Sequence, residues 1–311
     1  LSPAQAAKVE FFDDIDTGPQ VLGEEEHRYL AFGEVMYDYY REANFDAINL
    51  LLVNQQQQLF GEDTDYAELV LGDLYVTYGL PGKAEVIFNR LLAKDILSRT
   101  RAQTWLHKAA LHYREGNYTD AAMILDGDNM KGLEPADEAR RRLMLANIFM
   151  AEGDFTGALD YLHSVPLNTD EGRYASYNMG VALIRAGHQA QGLELLKSLL
   201  SAGGSSDQAL ALRDRAALAS GLTELKDGNL ENARADLRQV RSDGPFSEDA
   251  LLALGLANYR AGDVKRALPL WPEAVRRNCT HPSVQEAFML APRPYEAPAR
   301  LPQAPSGHPS A

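Results

Sequence analysis

Gly116-Asn117-Tyr118-Thr119-Asp120-Ala121 recurs along the chain as Gly153-Asp154-Phe155-Thr156-Gly157-Ala158, Gly228-Asn229-Leu230-Glu231-Asn232-Ala233 and Gly262-Asp263-Val264-Lys265-Arg266-Ala267. Looser copies pair Gly79 with Ala84 and Gly187 with Gly192. Successive glycines lie 37, 37, 34, 41 and 34 residues apart. A period near 34 means stacked helical hairpins, because a single hairpin cannot bury its apolar face alone.

Each residue type in the motif has a physical task. The Gly ends a first helix, where a left-handed backbone is cheap only without a Cβ. The Asn or Asp beside it is placed to accept backbone N–H bonds and cap a second helix. The Ala five residues after the Gly is small because two helices meet there. Upstream, apolar residues recur at three- and four-residue steps, as in Leu71, Gly72 and Tyr75; downstream they recur again, as in Ala84, Phe88 and Leu91. That is the helix period, with one face buried.

These units resemble the tetratricopeptide repeat family. Leu71, Gly72, Tyr75, Gly79, Ala84 and Phe88 stand where that family has Leu, Gly, Tyr, Gly, Ala and Phe. The third unit keeps Trp105, Ala109, Gly116 and Ala121, and the fourth keeps Leu145, Ala146, Phe149, Gly153, Ala158 and Leu162. The fifth keeps Met179, Gly180, Gly187 and Leu196 but has Gly192 in place of the Ala. The sixth keeps Gly221, Gly228, Ala233 and Leu237; the seventh keeps Leu254, Gly255, Gly262 and Ala267, with Trp271 at the Phe position. A degenerate first unit spans 24–59, with Asn44-Phe45-Asp46-Ala47 as its turn and no Gly. Most units lack the family's closing Pro, and extra residues precede units three, four and six. The resemblance implies an all-α fold, a right-handed α-solenoid of stacked helix-turn-helix repeats over 24–288.

The flanks differ from this array. Residues 1–23 carry Phe11-Phe12-Asp13-Asp14-Ile15-Asp16 and Gly18-Pro19; they are expected to cap the first repeat, with an arm offered to a partner as the alternative. Residues 289–311 form a Pro-rich tail in which helix cannot persist. Ser201-Ala202-Gly203-Gly204-Ser205-Ser206-Asp207 is expected to be a flexible connection between units five and six.

The net charge of the 311-residue chain is −14. Residues 1–100 hold 18 acidic and 7 basic side chains, whereas 265–311 hold 6 basic and 3 acidic. An acidic surface argues against nucleic acid and anionic lipid as partners. Opposite-sign ends permit head-to-tail contact between copies. The single Cys279 allows no internal disulfide and no cysteine-based metal site. No apolar run approaches the roughly 18 residues of a membrane helix, so no membrane insertion is expected. The polar start Leu1-Ser2-Pro3-Ala4-Gln5 fits a chain left by signal cleavage, so a periplasmic or secreted bacterial protein is expected, with the cytoplasm as the alternative.

Signals for chemistry are weak. His107 and His112 fall on different helix faces, and the chain has no His-x-x-x-His or His-Glu-x-x-His pair, nucleophile elbow or phosphate-binding loop. No catalytic residue, metal ligand or cofactor is expected. Arg140-Arg141-Arg142, at the start of a helix, is unfavourable to the dipole and is expected to be offset by Glu134, Asp137 and Glu138.

Binding is read from the resemblance, which implies that the first helices of the units line a concave groove. The positions so placed are rich in Tyr and Leu, among them Tyr113, Tyr177, Leu222 and Tyr259. They also bring a cation to one register in four units: Arg114, Arg185, Lys226 and Arg260. Tyr and Arg are the residues that most often dominate binding energy. The same register falls two residues before each turn Gly, where a cation also suits the helix dipole, and both readings stand at this stage. The expected function is a non-enzymatic scaffold or adaptor that binds a partner subunit or peptide in that groove, in a bacterial envelope assembly. A self-stacking structural subunit and a substrate-holding chaperone are the alternatives.

Overall fold

The computed structural model describes residues 24–278 except 168 and 202, together with 280, 282 and 285. The head at 1–23, the tail at 289–311 and Cys279 lie outside the described residues. Among these residues there is no strand, and the helices form two compact units divided between Leu133 and Glu134.

The first unit holds three hairpins: α1 (Glu24–Tyr40) with α2 (Asn44–Gln56), α3 (Thr64–Thr77) with α4 (Pro81–Ala93), and α5 (Ser98–Arg114) with α6 (Tyr118–Asp126). The second holds four. These are α7 (Pro135–Glu152) with α8 (Phe155–Leu162), α9 (Asp170–Arg185) with α10 (Gln189–Leu200), α11 (Asp207–Lys226) with α12 (Leu230–Leu237), and α13 (Ser247–Arg260) with α14 (Val264–Ala267) and α15 (Leu270–Arg277). The last second helix is split because Pro269 offers no N–H and its ring crowds the preceding turn. Both units have the hairpin architecture of tetratricopeptide repeats.

The turn motif closes every first helix in the same way. At Gly153 (φ 83) the Asp154 amide donates to Phe149 O at 2.9 Å and the Gly153 amide to Met150 O at 3.2 Å. This pair of bonds satisfies carbonyls the helix would leave open, and it needs a left-handed residue. The bond pattern recurs at the turns after α3, α5, α9, α11 and α13. It also recurs after α1, where Ala43 donates to Asp38 O and Glu42 to Tyr39 O, but there Glu42 takes the left-handed conformation at φ 59. The degenerate first unit therefore keeps the turn and lacks only the glycine.

Capping of the second helices divides by residue type. Asp154 accepts from the Gly157 amide at 2.8 Å and Asp263 from the Arg266 amide at 3.2 Å. Asn117 and Asn229 cap nothing with their side chains. Their amides donate instead to Glu115 and Glu224, because an Asn offers N–H groups that a neighbouring carboxylate takes up.

The helices of each hairpin meet at two small positions. The Ala five residues after the turn is fully buried at Ala47, Ala84, Ala121, Ala158, Ala233 and Ala267. The second position lies on the first helix, sixteen residues before a bulky side chain of the second helix: Gly72 and Phe88, Gly180 and Leu196, Gly221 and Leu237, Gly255 and Trp271. A Cβ on Gly72 would lie 2.4 Å from the Phe88 ring, and one on Gly255 2.3 Å from Trp271 Nε1. At Gly192 the usual Ala has no room: its Cβ would meet Gly180 O at 2.5 Å and Ile184 Cγ1 at 2.6 Å. The departure at the fifth unit is thus a closer approach of α9 and α10.

Two stability changes follow. Gly192→Ala restores the residue found in the other units, yet it should lower stability by about 1–3 kcal/mol through overpacking. Glu42→Gly should raise stability by roughly 0.5–1 kcal/mol, the left-handed penalty less the entropy of glycine. Urea unfolding of each variant against the parent checks both directions.

Candidate functional site

The four register cations all end first helices. Arg114, Arg185, Lys226 and Arg260 are the last residues of α5, α9, α11 and α13, two positions before the turn glycines. There each faces open carbonyls and the negative end of the dipole. The structure then separates their roles. The Arg260 guanidinium donates to Leu225 O at 3.3 Å, so it bridges α13 to the end of α11. Arg114 is exposed in the first unit, beside Tyr113, whose ring packs on Tyr118 at 5.5 Å.

Arg185 and Lys226 meet in one place. They line a cleft of about 440 Å³ in the second unit with Phe155, Ile184, Gln189, Leu222, Thr223 and Asp227. Both cations are exposed, and among the described residues neither has a hydrogen-bond or carboxylate partner. Leu222 is 45% exposed between them in sequence, one helical turn before Lys226. Asp227 is occupied, since the Gln189 amide donates to its carboxylate. The cleft therefore presents apolar surface from Phe155, Ile184 and Leu222 beside two uncompensated positive charges.

The remaining groove candidates are engaged in packing. Tyr177 is buried, with the Arg215 guanidinium 4.9 Å over its ring. Tyr259 packs on Trp271 at 6.2 Å. Three of the eight sequence-derived residues, Arg185, Leu222 and Lys226, are thus brought together. Phe155, Gln189, Thr223 and Asp227 escaped the sequence reading. Phe155 was visible as the apolar residue of a turn motif, where it reads as packing alone.

A buried ionic network fixes one wall of the cleft. The opposite side of α11 places Ser220 and Glu224 inward. Lys197 of α10 donates to Glu224 at 2.8 Å and lies 3.7 Å from Asp236 of α12; Ser220 Oγ donates to Asp236 at 2.6 Å. Asn229 adds a bond to Glu224 at 2.9 Å. Burial opposes ionisation of Glu224, but the hydrogen bonds from Lys197 and Asn229 outweigh it and hold the carboxyl below its ordinary value. For Lys197 burial again works in opposition, and its carboxylate partners leave the ammonium above its ordinary range. Nearby, buried Asp214 accepts from the Arg241 side chain at 2.9 Å and from its backbone amide at 3.0 Å.

Two other constellations gather polar side chains, one in each unit. In the first unit, Tyr39 Oη donates to Asp73 at 2.7 Å and His107 Nδ1 lies 2.9 Å from the same carboxylate. The three residues stand 34 apart, one from each first helix, and tie the hairpins together. In the second unit, Arg141 and Arg142 bond Glu138 at 2.8 and 2.7 Å, and Arg140 lies 3.5 Å from Asp137. Asp137 and Glu138 thus offset the arginine run, as expected. Among the described residues, no group of three or more His, Cys, Asp or Glu is arranged to hold a metal ion, and no helix is long and apolar enough to cross a membrane.

Comparison with known proteins identifies the architecture. The family model described as "Tetratricopeptide repeat" matches residues 218–281. Among solved structures, the quorum sensor NprR from B. thuringiensis aligns at TM-score 0.68 and 13% identity, over 89% of this chain and 84% of that one. PilW, a type IV pilus biogenesis factor, aligns at TM-score 0.57 and 14% identity, over 72% of this chain and 98% of that one. A tetratricopeptide repeat protein from Parabacteroides merdae aligns at 0.56 and 11%, over 86% and 99%. No curated protein matches the sequence significantly. Residues 218–281 thus carry the tetratricopeptide repeat signature, and the likeness to these solved structures shows the same helical-hairpin fold. This fold is a general scaffold for protein–protein interaction.

A depressed carboxyl adds stability above the pKa of the unfolded chain and loses it as pH falls through the folded value. Glu224→Gln should therefore lower stability at pH 7 and flatten the loss seen as pH drops below the ordinary value of 4.5. Thermal melting between pH 7 and pH 3 measures this; a parallel shift of the whole curve would contradict it.

Proposed function

We propose that the protein is a non-enzymatic adaptor whose cleft in the second unit binds an extended segment of a protein partner. The observation that supports it is the pairing of Arg185 and Lys226 beside exposed Leu222. A charge at the end of a helix needs no partner for the dipole alone, but two such charges converging on apolar surface form a two-point recognition element. Leu222, Ile184 and Phe155 take an apolar anchor. Arg185 and Lys226 take carboxylates of the bound segment, side chain or chain end. Desolvation beside the apolar wall strengthens both charge-assisted bonds.

The acidity of the chain as a whole favours this assignment. A segment carrying carboxylates is repelled by most of the surface and meets positive potential at the cleft, which gives specificity more than affinity. The Lys197–Glu224–Asp236 network holds α10, α11 and α12 in register, so the walls are set before binding, and less ordering entropy is lost.

Selection of peptides from a random display library against the intact chain tests the reading. The enriched peptides should combine an apolar anchor with Asp, Glu or a free C-terminus. Arg185→Glu with Lys226→Glu should lose them by at least about tenfold, as removal of charged hydrogen bonds worth about 1.5–3 kcal/mol each requires, while melting as the parent does. Peptides without acidic groups, or equal binding to the variant, would refute it.

A further inference from the structure

Apolar surface is concentrated at a second place, the outer side of the first hairpin. On α1, Phe32, Met36 and Tyr39 pack into the core shared with α3 and α4. The opposite side of the same helix carries Leu30, Gly33, Glu34 and Tyr37, a run at three- and four-residue steps. Together with Asp38, also on α1, and Leu50 of α2 they line a groove of about 380 Å³. Leu30 is 49% and Tyr37 62% exposed. Among the described residues, every later hairpin of this unit has a hairpin before it, and α1 and α2 have none. A repeat array needs a cap on such an end face.

We infer that this groove is the docking site of the chain's own head, residues 8–12, with Phe11 and Phe12 as anchors. Three observations choose this occupant. The first is position: the segment 1–23 runs directly into Glu24, the first residue of α1. Eleven residues lie between Phe12 and Glu24, and that stretch reaches about 40 Å when extended, whereas the groove lies within about 20 Å along α1. Gly18-Pro19, a turn dipeptide, lets the chain reverse on the way.

The second is chemistry. Two adjacent aromatic rings match a mainly apolar groove, and their burial is the largest stabilisation the head can gain. The third is charge. Glu34 and Asp38 stand at the groove, and among the described residues neither has a side-chain partner. Lys8 is the one basic residue among 1–23 and lies three residues before Phe11. The acids of the head, Asp13, Asp14 and Asp16, follow the anchors in sequence, and Arg41, whose guanidinium rests 5.1 Å over the Tyr37 ring, is a cation beside the groove. The groove face thus offers carboxylates for Lys8, an apolar floor for the aromatic pair and a cation for the acids.

The test uses the full chain. In a Cys279→Ser background, Gly33→Cys places a thiol in the groove, where a side chain at this position meets no atom within 4 Å; Asp13→Cys places the second beside Phe12. Mild oxidation should give a disulfide within one molecule, independent of protein concentration, and adding Phe11→Ser and Phe12→Ser should slow it several-fold. Disulfides formed only between molecules would assign the groove to a second copy and overturn the inference. No disulfide, or one formed as fast without the aromatic pair, would overturn it too. As an independent readout in the otherwise unchanged chain, Phe11→Ser with Phe12→Ser should speed hydrogen exchange of α1 amides several-fold; unchanged exchange would contradict the docking.

Discussion

A large side chain seated on a glycine or alanine of the first helix holds together every hairpin from α3 onward. Phe88 fits over Gly72, Leu196 over Gly180, Leu237 over Gly221 and Trp271 over Gly255. Where the seat is alanine, at Ala109 and Ala146, the knob is Leu125 or Leu162 and is again fully buried. Burying such a knob is worth about 1.5–3 kcal/mol, and the close backbone approach it demands sets where the two helices meet. The turn glycine lies seven residues after each seat and the small buried residue twelve after it. The period of the sequence is therefore the period of one contact, repeated.

This contact also places the functional surface. Because each first helix ends at a fixed distance from its seat, the last residues of α9 and α11 carry their cations at equivalent positions, and Arg185 and Lys226 open onto one cleft. The inward side of α11 is tied down by Lys197, Asp236 and Ser220 around Glu224. One helix thus carries a buried ionic lock on one side and exposed Leu222 and Lys226 on the other. Rigidity and recognition are assigned to opposite faces.

Much of the fold could be read from the sequence because turns and seats obey local rules. The hairpins, the turn glycines and the buried alanines are steric necessities with fixed spacing. Glu42 was hidden because a left-handed glutamate breaks the residue rule while keeping the geometry. Gly192 looked like a degenerate alanine, and only the approach of Gly180 O shows why alanine fails. The site was less legible. The common register of the four cations was visible, but that Arg260 turns to Leu225 O while Arg185 and Lys226 stay unpaired depends on side-chain reach across hairpins. Glu224, Asp236 and Asp214 could not be picked out among so many carboxylates, since burial, and not spacing, distinguishes them. The Tyr39–Asp73–His107 ladder had the repeat period in plain view, yet unlike residue types concealed it.

The most direct measurement of the central claim is an NMR titration of the full chain with one peptide selected for binding and with the same peptide after its acids are changed to lysine. The account predicts shift changes centred on Ile184, Arg185, Leu222 and Lys226 with the first peptide, weakening as salt rises, and none there with the second. Equal changes with both peptides, or changes centred on the first unit with the cleft residues unmoved, would contradict it.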